Sequence, residues 1–527
     1  MTSMVHIKRI TTTILHILIC FAIFASVWGY SEKLTDTMIT PKWVFCLSGV
    51  LMTMIWYSVV RLFGVACYCS IASVRLCFVV AVCSEVMLFF FQWIGISIKT
   101  FSCNGTGSFD NPAGFASCMS IGTPFVAYFL CNQRKWVRTV VGLLSLTICV
   151  AVTLSGSRAG FISIMLLLVC WVYQKAKNST KQYRVILLPV FFFLLVCSYF
   201  AKKDSADGRL LIWRCSIELI GESPLVGYGI GGFEANYMDV QAEYFRTGGI
   251  NNRFAILASN IKNPFNEYLH LLLTFGITGL IPIAGFIMWL RHRYQKYPSK
   301  DKRMAFYVLL STGVFSLFSY PFTYPFTWIT TIFSGYIIAR GNEWTIARTK
   351  LKYIILILVL GGSAFGGATV YQCFNMEAKW RNASNLVLQG HVNDGLQIYG
   401  TLIQLFDKNP YFLYNYAAIL QENGRYRDSQ TIAEMCCRYW SDYDLELIMG
   451  DNAKQMKEFK KAEKHYLQAY HMCPSRFLPP YKLLQLYKEI GDRYTIKGIA
   501  QQILSMPVKR KTSTINYIKK DAESAMK

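Results

Sequence analysis

Two residues near the middle of the chain have types and spacing suited to proton transfer. In the segment Asn263-Pro-Phe-Asn266-Glu267-Tyr-Leu-His270, Glu267 and His270 are three residues apart, so they share one face of a helix. An acidic side chain beside an imidazole can take a proton from a hydroxyl group. Two interpretations stay open. Either the pair is a general base, or Glu267 stabilises the start of a helix while His270 packs against a neighbour.

An upstream segment has the residues of an anion-binding site. Asp207-Gly-Arg209-Leu-Leu-Ile-Trp213-Arg214 places Arg209 and Trp213 on one helical face, and a glycine-rich stretch follows at 227–232. The planar guanidinium of arginine matches phosphate oxygens, and glycines let a backbone approach a phosphate closely. The leucines and isoleucines around Trp213 predict an amphipathic helix that lies on a membrane. No strand pattern precedes the glycines, so a dinucleotide-binding fold is not expected.

The composition indicates that these segments belong to a membrane protein. The chain has 527 residues, of which 53% are hydrophobic and 16% charged, and its mean hydropathy is +0.31. These values exclude an ordinary soluble enzyme and a disordered chain. The formal net charge is +24. We expect no nucleic-acid partner, because a basic stripe on a polar domain is missing. The sequence has no cysteine and histidine spacing typical of zinc, so no metal site is expected.

Apolar runs of helical length predict an all-α protein with a polytopic membrane domain at 1–371. Spanning a bilayer takes about 20 mainly apolar residues. Eleven candidate spans follow from this rule: 12–30, 43–60, 76–94, 113–131, 139–155, 159–174, 185–200, 266–290, 304–320, 327–340 and 353–371.

The distribution of cations predicts the orientation of these spans. One alternating set of short loops holds seventeen Lys and Arg residues, and the other set holds four, one of which is Arg158. Cytoplasmic loops carry the excess of positive residues, so the N-terminus is expected in the cytoplasm. With an odd number of spans, residues 372–527 then lie outside, in the periplasm. The long loop 201–265 lies on the same outer side.

Arg158 is the one arginine among the four cations of the outer set. It lies in Ser155-Gly-Ser-Arg158-Ala-Gly160, between two apolar runs. An arginine at a membrane boundary is costly unless it is paired or reaches the interface. It is either a phosphate clamp or a topology anchor. We favour the phosphate clamp, because Arg158 lies against the charge bias and its small neighbours leave the guanidinium accessible.

Residues 372–527 have a polar, helix-forming composition with an internal repeat. The turn positions Gly390, Gly424, Lys457 and Gly491 follow one another at spacings of 34, 33 and 34. This period is typical of tetratricopeptide repeats, although Lys457 replaces the usual glycine. A stack of such helical hairpins predicts an α-solenoid. It offers a concave surface for a protein or glycan partner, or it caps the membrane domain. We favour the binding surface.

Taken together, these segments resemble the O-antigen ligase and polymerase superfamily of bacterial membrane glycosyltransferases, in particular its members with a tetratricopeptide tail. The resemblance covers a core at about 100–290. The segments that carry it are Ser108–Gly114, Ser155–Gly160, Arg209–Trp213, Pro224–Phe233 and Asn266–Gly279.

The resemblance implies a reaction and a location. A glycan carried by undecaprenyl diphosphate would be transferred to an acceptor hydroxyl at the periplasmic face of the bacterial inner membrane. The acceptor would be a lipid, a glycan or a protein. No metal and no cofactor are implied. Arg158 and Arg209 match the arginine-bearing segments that hold the diphosphate in this family. Arg214, Trp213 and Asn266 complete the expected substrate-binding set, with Glu267 and His270 as catalytic residues.

One position departs from the family pattern. Ligases usually have His-Asn, nine residues and then Gly-x-x-Gly, whereas here Phe265 precedes Asn266, with Gly276 and Gly279 at the expected places. Phenylalanine cannot take a proton. The general base is therefore Glu267 or His270, or the site has no base. A polysaccharide polymerase or a protein O-oligosaccharyltransferase is therefore an alternative to a ligase. Outside this class, a lipid-linked glycan transporter and a non-catalytic assembly scaffold stay open.

Overall fold

The computed structural model describes residues 2–96, 105–131, 134–175, 189, 196, 199–200, 203–248, 253–340, 349–509 and 511–527. These residues are helical or irregular, with no β-strand among them, which confirms the all-α prediction. The described helices are α1 (Thr2–Trp28), α2 (Ile39–Leu62), α3 (Ile71–Ile94), α4 (Pro112–Ala127), α5 (Lys135–Leu154), α6 (Arg158–Lys175), α7 (Lys203–Glu222), α8 (Gly232–Gly248), α9 (Glu267–Lys296), α10 (Lys300–Ser316), α11 (Pro325–Ala339), α12 (Thr349–Leu388), α13 (Val392–Leu402), α14 (Pro410–Glu422), α15 (Tyr426–Cys437), α16 (Tyr443–Gln455), α17 (Phe459–Met472), α18 (Leu478–Ile490), α19 (Arg493–Ser505) and α20 (Ser513–Met526).

The chain forms two compact units. The first, here called the membrane unit, comprises Met1–Ser198 and Ala284–Ser384. The second, the repeat unit, comprises Tyr199–Ile283 and Asn385–Lys527. The boundary expected from sequence, at residue 371, falls inside α12, whereas the division between the units follows Ser384. The predicted outer loop 201–265 belongs to the same unit as the repeats.

The membrane unit contains apolar helices at most of the predicted spans, and the chain is a multi-pass membrane protein. Within the described residues, seven helices are long and apolar enough to cross a bilayer: α1, α2, α3, α4 with the turn that follows it, α5, α9 and α12. Two shorter apolar helices, α6 and α11, coincide with the predicted spans 159–174 and 327–340. The predicted span 304–320 overlaps α10. The span predicted at 185–200 lies almost entirely outside the described residues.

Helix α4 lies at the centre of the membrane unit because its small residues let neighbours approach closely. A Cβ added to Gly122 would lie 2.3 Å from the Val82 side chain. Asn111 begins the helix, as its Oδ1 accepts a hydrogen bond from the Gly114 N–H at 2.9 Å. Around it, aromatic side chains fill the core, including Phe78 stacked on Phe125 with ring centroids 4.6 Å apart.

Buried polar side chains of the membrane unit hold the turn before α4. Glu85 Oε2 accepts the Ser108 N–H at 3.0 Å, and Lys42 Nζ donates to the Ser108 carbonyl at 2.8 Å. Gln92 Oε1 accepts the backbone N–H groups of Thr106 and Gly107 at 3.0 and 2.9 Å. The polar and charged residues Gln92, Glu85 and Lys42 therefore fix the segment at 106–108 in place.

The repeat unit confirms the turns predicted from the 33- and 34-residue spacing. Gly390, Gly424, Lys457 and Gly491 all have left-handed backbones, with φ of 91°, 73°, 65° and 86°. Each follows the end of one helix and precedes the next, as a helix C-terminus requires. Ala462 of α17 is fully buried, which allows its helix to pack closely on its neighbours.

The helices of the predicted outer loop share a hydrophobic core with the repeats. Leu211 and Leu219 of α7 and Phe233 of α8 are buried in one cluster with Leu447 of α16 and Tyr466 of α17. This finding corrects the expectation for the amphipathic helix at 209–220. Much of its apolar surface packs inside protein, while Leu210 and Ile217 stay exposed.

Candidate active site

The glycine-rich stretch after α7 packs its backbone against a break in α9. At Gly276 the helix departs from helical geometry, with φ 61° and ψ −166°. The Tyr228 and Gly229 N–H groups donate to the carbonyls of Leu273 and Thr274 at 2.7 and 2.9 Å, while the Ile277 N–H donates to Pro224 at 2.9 Å. This exchange satisfies backbone groups that the break would otherwise leave unpaired.

The glycines at this crossing are required by close contact. A Cβ on Gly276 would lie 2.1 Å from the Leu225 carbonyl oxygen, and one on Gly227 would lie 2.5 Å from that of Leu273. Both also have positive φ, which glycine adopts without strain. The sequence predicts that the glycines at 227–232 let the backbone approach a phosphate. Here Gly227 and Gly276 bring two backbones together and position the start of α8 beside α9.

Arg209 and Trp213 both contact the segment that precedes α9, as their shared helical face predicted. The Arg209 guanidinium lies over the Phe265 ring, 5.4 Å from its centroid. The Trp213 Nε1–H donates to the Pro264 carbonyl at 3.1 Å. These two contacts tie one face of α7 to the residues just before Asn266.

Phe265, at the position where ligases usually have histidine, has a strained backbone. Its φ is 51°, a left-handed conformation that side-chain-bearing residues seldom adopt. Asn263 Oδ1 accepts its N–H at 3.2 Å, and Asn266 then begins α9 by accepting the N–H groups of Tyr268 and Leu269 at 2.9 and 3.1 Å. Such strain concentrates at functional sites. The sequence revealed the substitution at 265 but not this conformation.

Arg209 also lines a cavity of about 200 Å³ within the repeat unit. Polar groups on its wall come from α7, α8 and the segment before α9: Asp204, Ser205, Arg209, Gln241 and Ser259, with the Phe265 ring beside them. A cation, hydroxyl groups and an aromatic face in one concave site suit a phosphate and a sugar.

Gln241, which the sequence analysis missed, connects the cavity wall to the repeats. It is fully buried, and its Nε2 donates to the carbonyls of Met472 at 2.6 Å and Ser259 at 3.2 Å. Its Oε1 accepts the Tyr237 hydroxyl at 2.8 Å. A further contact joins the loop before α9 to the repeats, since the Asn260 amide donates to Asp442 at 2.8 Å. The repeats therefore support the cavity wall directly.

Glu267 and His270 lie together in the first turn of α9, as predicted. His270 Nδ1 is 3.8 Å from Glu267 Oε2, close enough for an ion pair but too long for a hydrogen bond. The His270 side chain is 38% exposed and that of Glu267 is 12% exposed. The imidazole is thus accessible to a substrate hydroxyl while a carboxylate lies beside it.

The two remaining arginines make other contacts. The Arg214 guanidinium is directed to α8, 4.9 Å from the Tyr244 ring centroid, and not to the Phe265 segment. Arg158 belongs to the membrane unit, where it is half-buried at the first position of α6. The next residue, Ala159, is buried, and a Cβ on Gly160 would lie 2.8 Å from the Ala116 side chain of α4. Small residues after Arg158 therefore allow α6 to pack closely on α4.

No group of three or more His, Cys, Asp and Glu residues within the described ranges is arranged to hold a metal ion.

The residues of the candidate site lie in a segment that matches a known protein family. The O-Antigen ligase family model matches residues 142–284, which include Arg158, the arginines of α7 and the start of α9. Through this segment, the chain resembles the O-antigen ligase superfamily. The match lies within the core expected at about 100–290.

Two individual proteins are also similar. The chain is 23% identical over 314 residues to the ComP-specific O-oligosaccharyltransferase of Acinetobacter baylyi, which covers 55% of this chain and 54% of that protein. The chain thus matches about half the length of this relative. A crystal structure of yeast Tom70 aligns over 92% of this chain and 96% of its own, with a TM-score of 0.27 and 11% identity.

Proposed function

We propose that this protein transfers a glycan from undecaprenyl diphosphate to an acceptor hydroxyl. The observation that carries the proposal is the placement of Arg209, which lines a polar cavity and lies over the residue just before α9, within the segment that matches the family. A fixed guanidinium at such a cavity is suited to hold the diphosphate of the donor.

The reaction assigned to this site is a displacement at the anomeric carbon of the donor sugar. The acceptor oxygen forms the new bond to this carbon, and the bond to the diphosphate oxygen breaks with its electron pair. Arg209 stabilises the negative charge that develops on the leaving diphosphate, and Arg158 of the membrane unit is a separate candidate for diphosphate binding. His270, with Glu267 beside it, takes the proton of the acceptor hydroxyl. No step of this scheme uses a metal ion, so we propose that transfer is metal-independent.

We further propose that the site faces the periplasm of a bacterium, at the inner membrane. The excess of cations in one set of loops supports a cytoplasmic N-terminus and, with an odd number of spans, repeats on the outer side. Undecaprenyl diphosphate would reach the site from the membrane.

Two candidate functions within this class differ in the acceptor of the glycan. The ligase resemblance favours a lipid acceptor, such as lipid A core. The similarity to a ComP-specific O-oligosaccharyltransferase supports a protein acceptor as the second candidate. Phe265, at the usual histidine position, is a departure from the ligase pattern and adds weight to the second.

The structure gives less support to transport. A transporter requires polar groups along a path through the spans. Glu85 and Lys42 instead bind the backbone of Ser108, and Arg75 forms an ion pair with Asp301 at 2.6 Å. These charged residues have structural partners, so they do not describe a substrate path.

Deletion and complementation in the native host test the proposal. We expect the deletion to remove a surface glycoconjugate, and wild-type protein to restore it. Arg158→Ala and Arg209→Ala should each lower product by about 100-fold or more, because one lost charge-stabilising contact has this effect on rate. Arg493→Ala, at an exposed position of α19, is the matched control and should restore product.

The product that disappears identifies the acceptor. Loss of all glycan-capped lipid A indicates a ligase, loss of protein glycans alone indicates a protein transferase, and loss of long chains with single units retained indicates a polymerase. Full complementation by both arginine variants would contradict glycan transfer at this site.

A further inference from the structure

Exposed apolar side chains lie on the segment 223–233, which contains the glycine-rich stretch and is here called the apolar turn. Leu225, Val226 and Ile230 are all exposed, and Ile230 is 91% exposed. The eleven residues of the turn include no charged side chain, whereas a glutamate flanks it at each end. Several exposed apolar residues in one short uncharged segment are typical of a surface that meets a membrane or another protein.

Backbone hydrogen bonds hold the apolar turn against α9, a helix that is long and apolar enough to cross a bilayer. The Ile277 and Thr278 N–H groups donate to the carbonyls of Pro224 and Leu225 at 2.9 and 3.1 Å. The Thr278 hydroxyl also donates to the Leu225 carbonyl at 2.9 Å. Together with the two bonds to residues 273–274 described above, these contacts fix the position of the turn along α9.

This position lies within the apolar part of α9. Residues 271–290 contain no charged side chain, and about 20 such residues span the hydrocarbon core of a bilayer. The turn meets α9 at 273–278, which at 1.5 Å per residue is about 3 to 10 Å from the beginning of the uncharged run. Phe275, Ile277 and Ile281 of α9 are also exposed. The apolar surface of the turn therefore continues the lipid-facing surface of the helix.

The polar groups of the turn are arranged as a membrane requires. Non-helical backbone is tolerated in the hydrocarbon core only where its polar groups are paired. In addition to the bonds with α9, the Gly227 N–H donates to the Ser223 carbonyl at 3.2 Å, and the Ser223 hydroxyl donates to the Gly227 carbonyl at 3.0 Å. The Tyr228 hydroxyl donates to the flanking Glu222 at 2.7 Å. Tyrosine is enriched at the level of lipid headgroups, where such a polar contact lies in water.

We propose that the apolar turn inserts into the bilayer leaflet at the Glu267 end of α9, where Leu225, Val226 and Ile230 contact lipid acyl chains. Its partner is lipid because a membrane-crossing helix holds the turn at the depth of the hydrocarbon core. The depth given by α9 agrees with that of interfacial apolar segments, about 5 to 10 Å into the boundary between headgroups and acyl chains. Membrane contact, expected from sequence for the helix around Trp213, is thereby assigned to the turn that follows it.

Fluorescence quenching in lipid nanodiscs, each containing one copy of the full-length protein, tests the insertion. A fluorescent amino acid replaces Ile230 by nonsense suppression, and a second variant carries it at Val226. One quencher is a lipid with bromine near the glycerol end of its acyl chains, and the other is iodide in the buffer. Tyr494 of α19, which is also 91% exposed, is the matched control position.

We expect the brominated lipid to quench the probes at 226 and 230 and iodide to quench them weakly, with the opposite result at 494. Thermal unfolding at the wild-type temperature verifies that the probe variants are folded, and position 226 repeats the measurement independently of 230. Quenching at 230 by iodide as strongly as at 494 would overturn the inference, because the turn would then face water. Quenching by neither reagent would also overturn it, because protein would then cover the turn.

The outcome is independent of glycan transfer. The quenching experiment has no donor or acceptor, so a turn that lies outside the bilayer would leave the proposed function standing. Conversely, loss of the proposed function in the transfer assay would leave the measured depth of the turn unchanged.

Discussion

At the scale of single residues, Phe265 and Lys457 both have left-handed backbones, but for different reasons. Phe265 has φ 51° and places its ring under Arg209, in the segment matched by the O-antigen ligase family. Lys457 has φ 65° in a turn between repeat helices, where its side chain is 73% exposed. The first conformation supports a site, so its strain has a function. The second conformation occupies a position that glycine fills in the other repeats.

Lys457→Gly is therefore expected to stabilise the protein. A left-handed backbone costs a side-chain-bearing residue about 1 kcal/mol, and glycine removes this cost. The ion pair of Lys457 with Glu489 at 3.1 Å is on the surface and contributes little. Thermal unfolding of the detergent-solubilised protein measures the effect. A lower unfolding temperature would contradict this account of the turn, and the same substitution at the helical, exposed Lys460 is the control, expected to destabilise.

At the scale of elements, the site depends on the break in α9. A straight helix from Glu267 to Lys296 would leave no free carbonyls at Leu273 and Thr274, and the glycine-rich stretch before α8 would lose its hydrogen bonds to α9. The break and the stretch stabilise each other through backbone hydrogen bonds. The sequence predicted a span at 266–290 and the Gly-x-x-Gly pattern within it. It did not predict the break, because glycine alone is compatible with a continuous helix.

Gly276→Ala tests the break. The added Cβ would lie 2.1 Å from the Leu225 carbonyl oxygen, and φ 61° is unfavourable for alanine, so the crossing must separate. We expect transfer activity to fall at least 100-fold, with the protein still inserted in the membrane. Gly285→Ala lies on the same helix with open space around it and should keep normal activity. Equal activity of the two variants would show that the crossing is dispensable.

At the scale of the whole molecule, the repeats are a structural part of the unit that carries Arg209 and His270. Phe233 and Leu219, on the helices of the outer loop, lie in the same core as Leu447 and Tyr466 of the repeats. Gln241 adds a buried hydrogen bond from the cavity wall to Met472. Removing the repeats would expose this core and leave the polar groups of the loop unpaired.

Truncation after residue 384 should consequently abolish transfer and make residues 203–283 sensitive to protease. Truncation after residue 512, which removes only α20, leaves the shared core intact and should retain transfer. The helix α20 packs instead in a separate cluster that includes Phe477 and Ile503. If the protein truncated after residue 384 kept a protease-resistant segment at 203–283, the shared core would not be needed for the site. The repeats would then act only as the binding surface that the sequence favours.

The sequence predicted those features that depend on local periodicity. Apolar runs predicted most of the described spans, the 33- and 34-residue spacing predicted the turns, and i, i+4 spacing placed Arg209 and Trp213 on one face. Gln241 and the strain at Phe265 could not be predicted, because each depends on contacts between segments far apart in the chain. Gly227 lies in the stretch predicted to approach a phosphate closely, but in this structure it lies against the backbone of α9.

Direct observation of glycan transfer by the purified full-length protein tests the central claim. The protein in nanodiscs is given undecaprenyl diphosphate carrying a labelled oligosaccharide, together with lipid A core, glycan or protein acceptors, with and without EDTA. We predict that label moves to one acceptor class, that free undecaprenyl diphosphate appears in equal amount, and that EDTA has no effect. Arg209→Ala should lower the rate by about 100- to 1,000-fold, with Arg493→Ala unchanged. No transfer to any acceptor by wild type, or an unchanged rate for Arg209→Ala, would contradict the account.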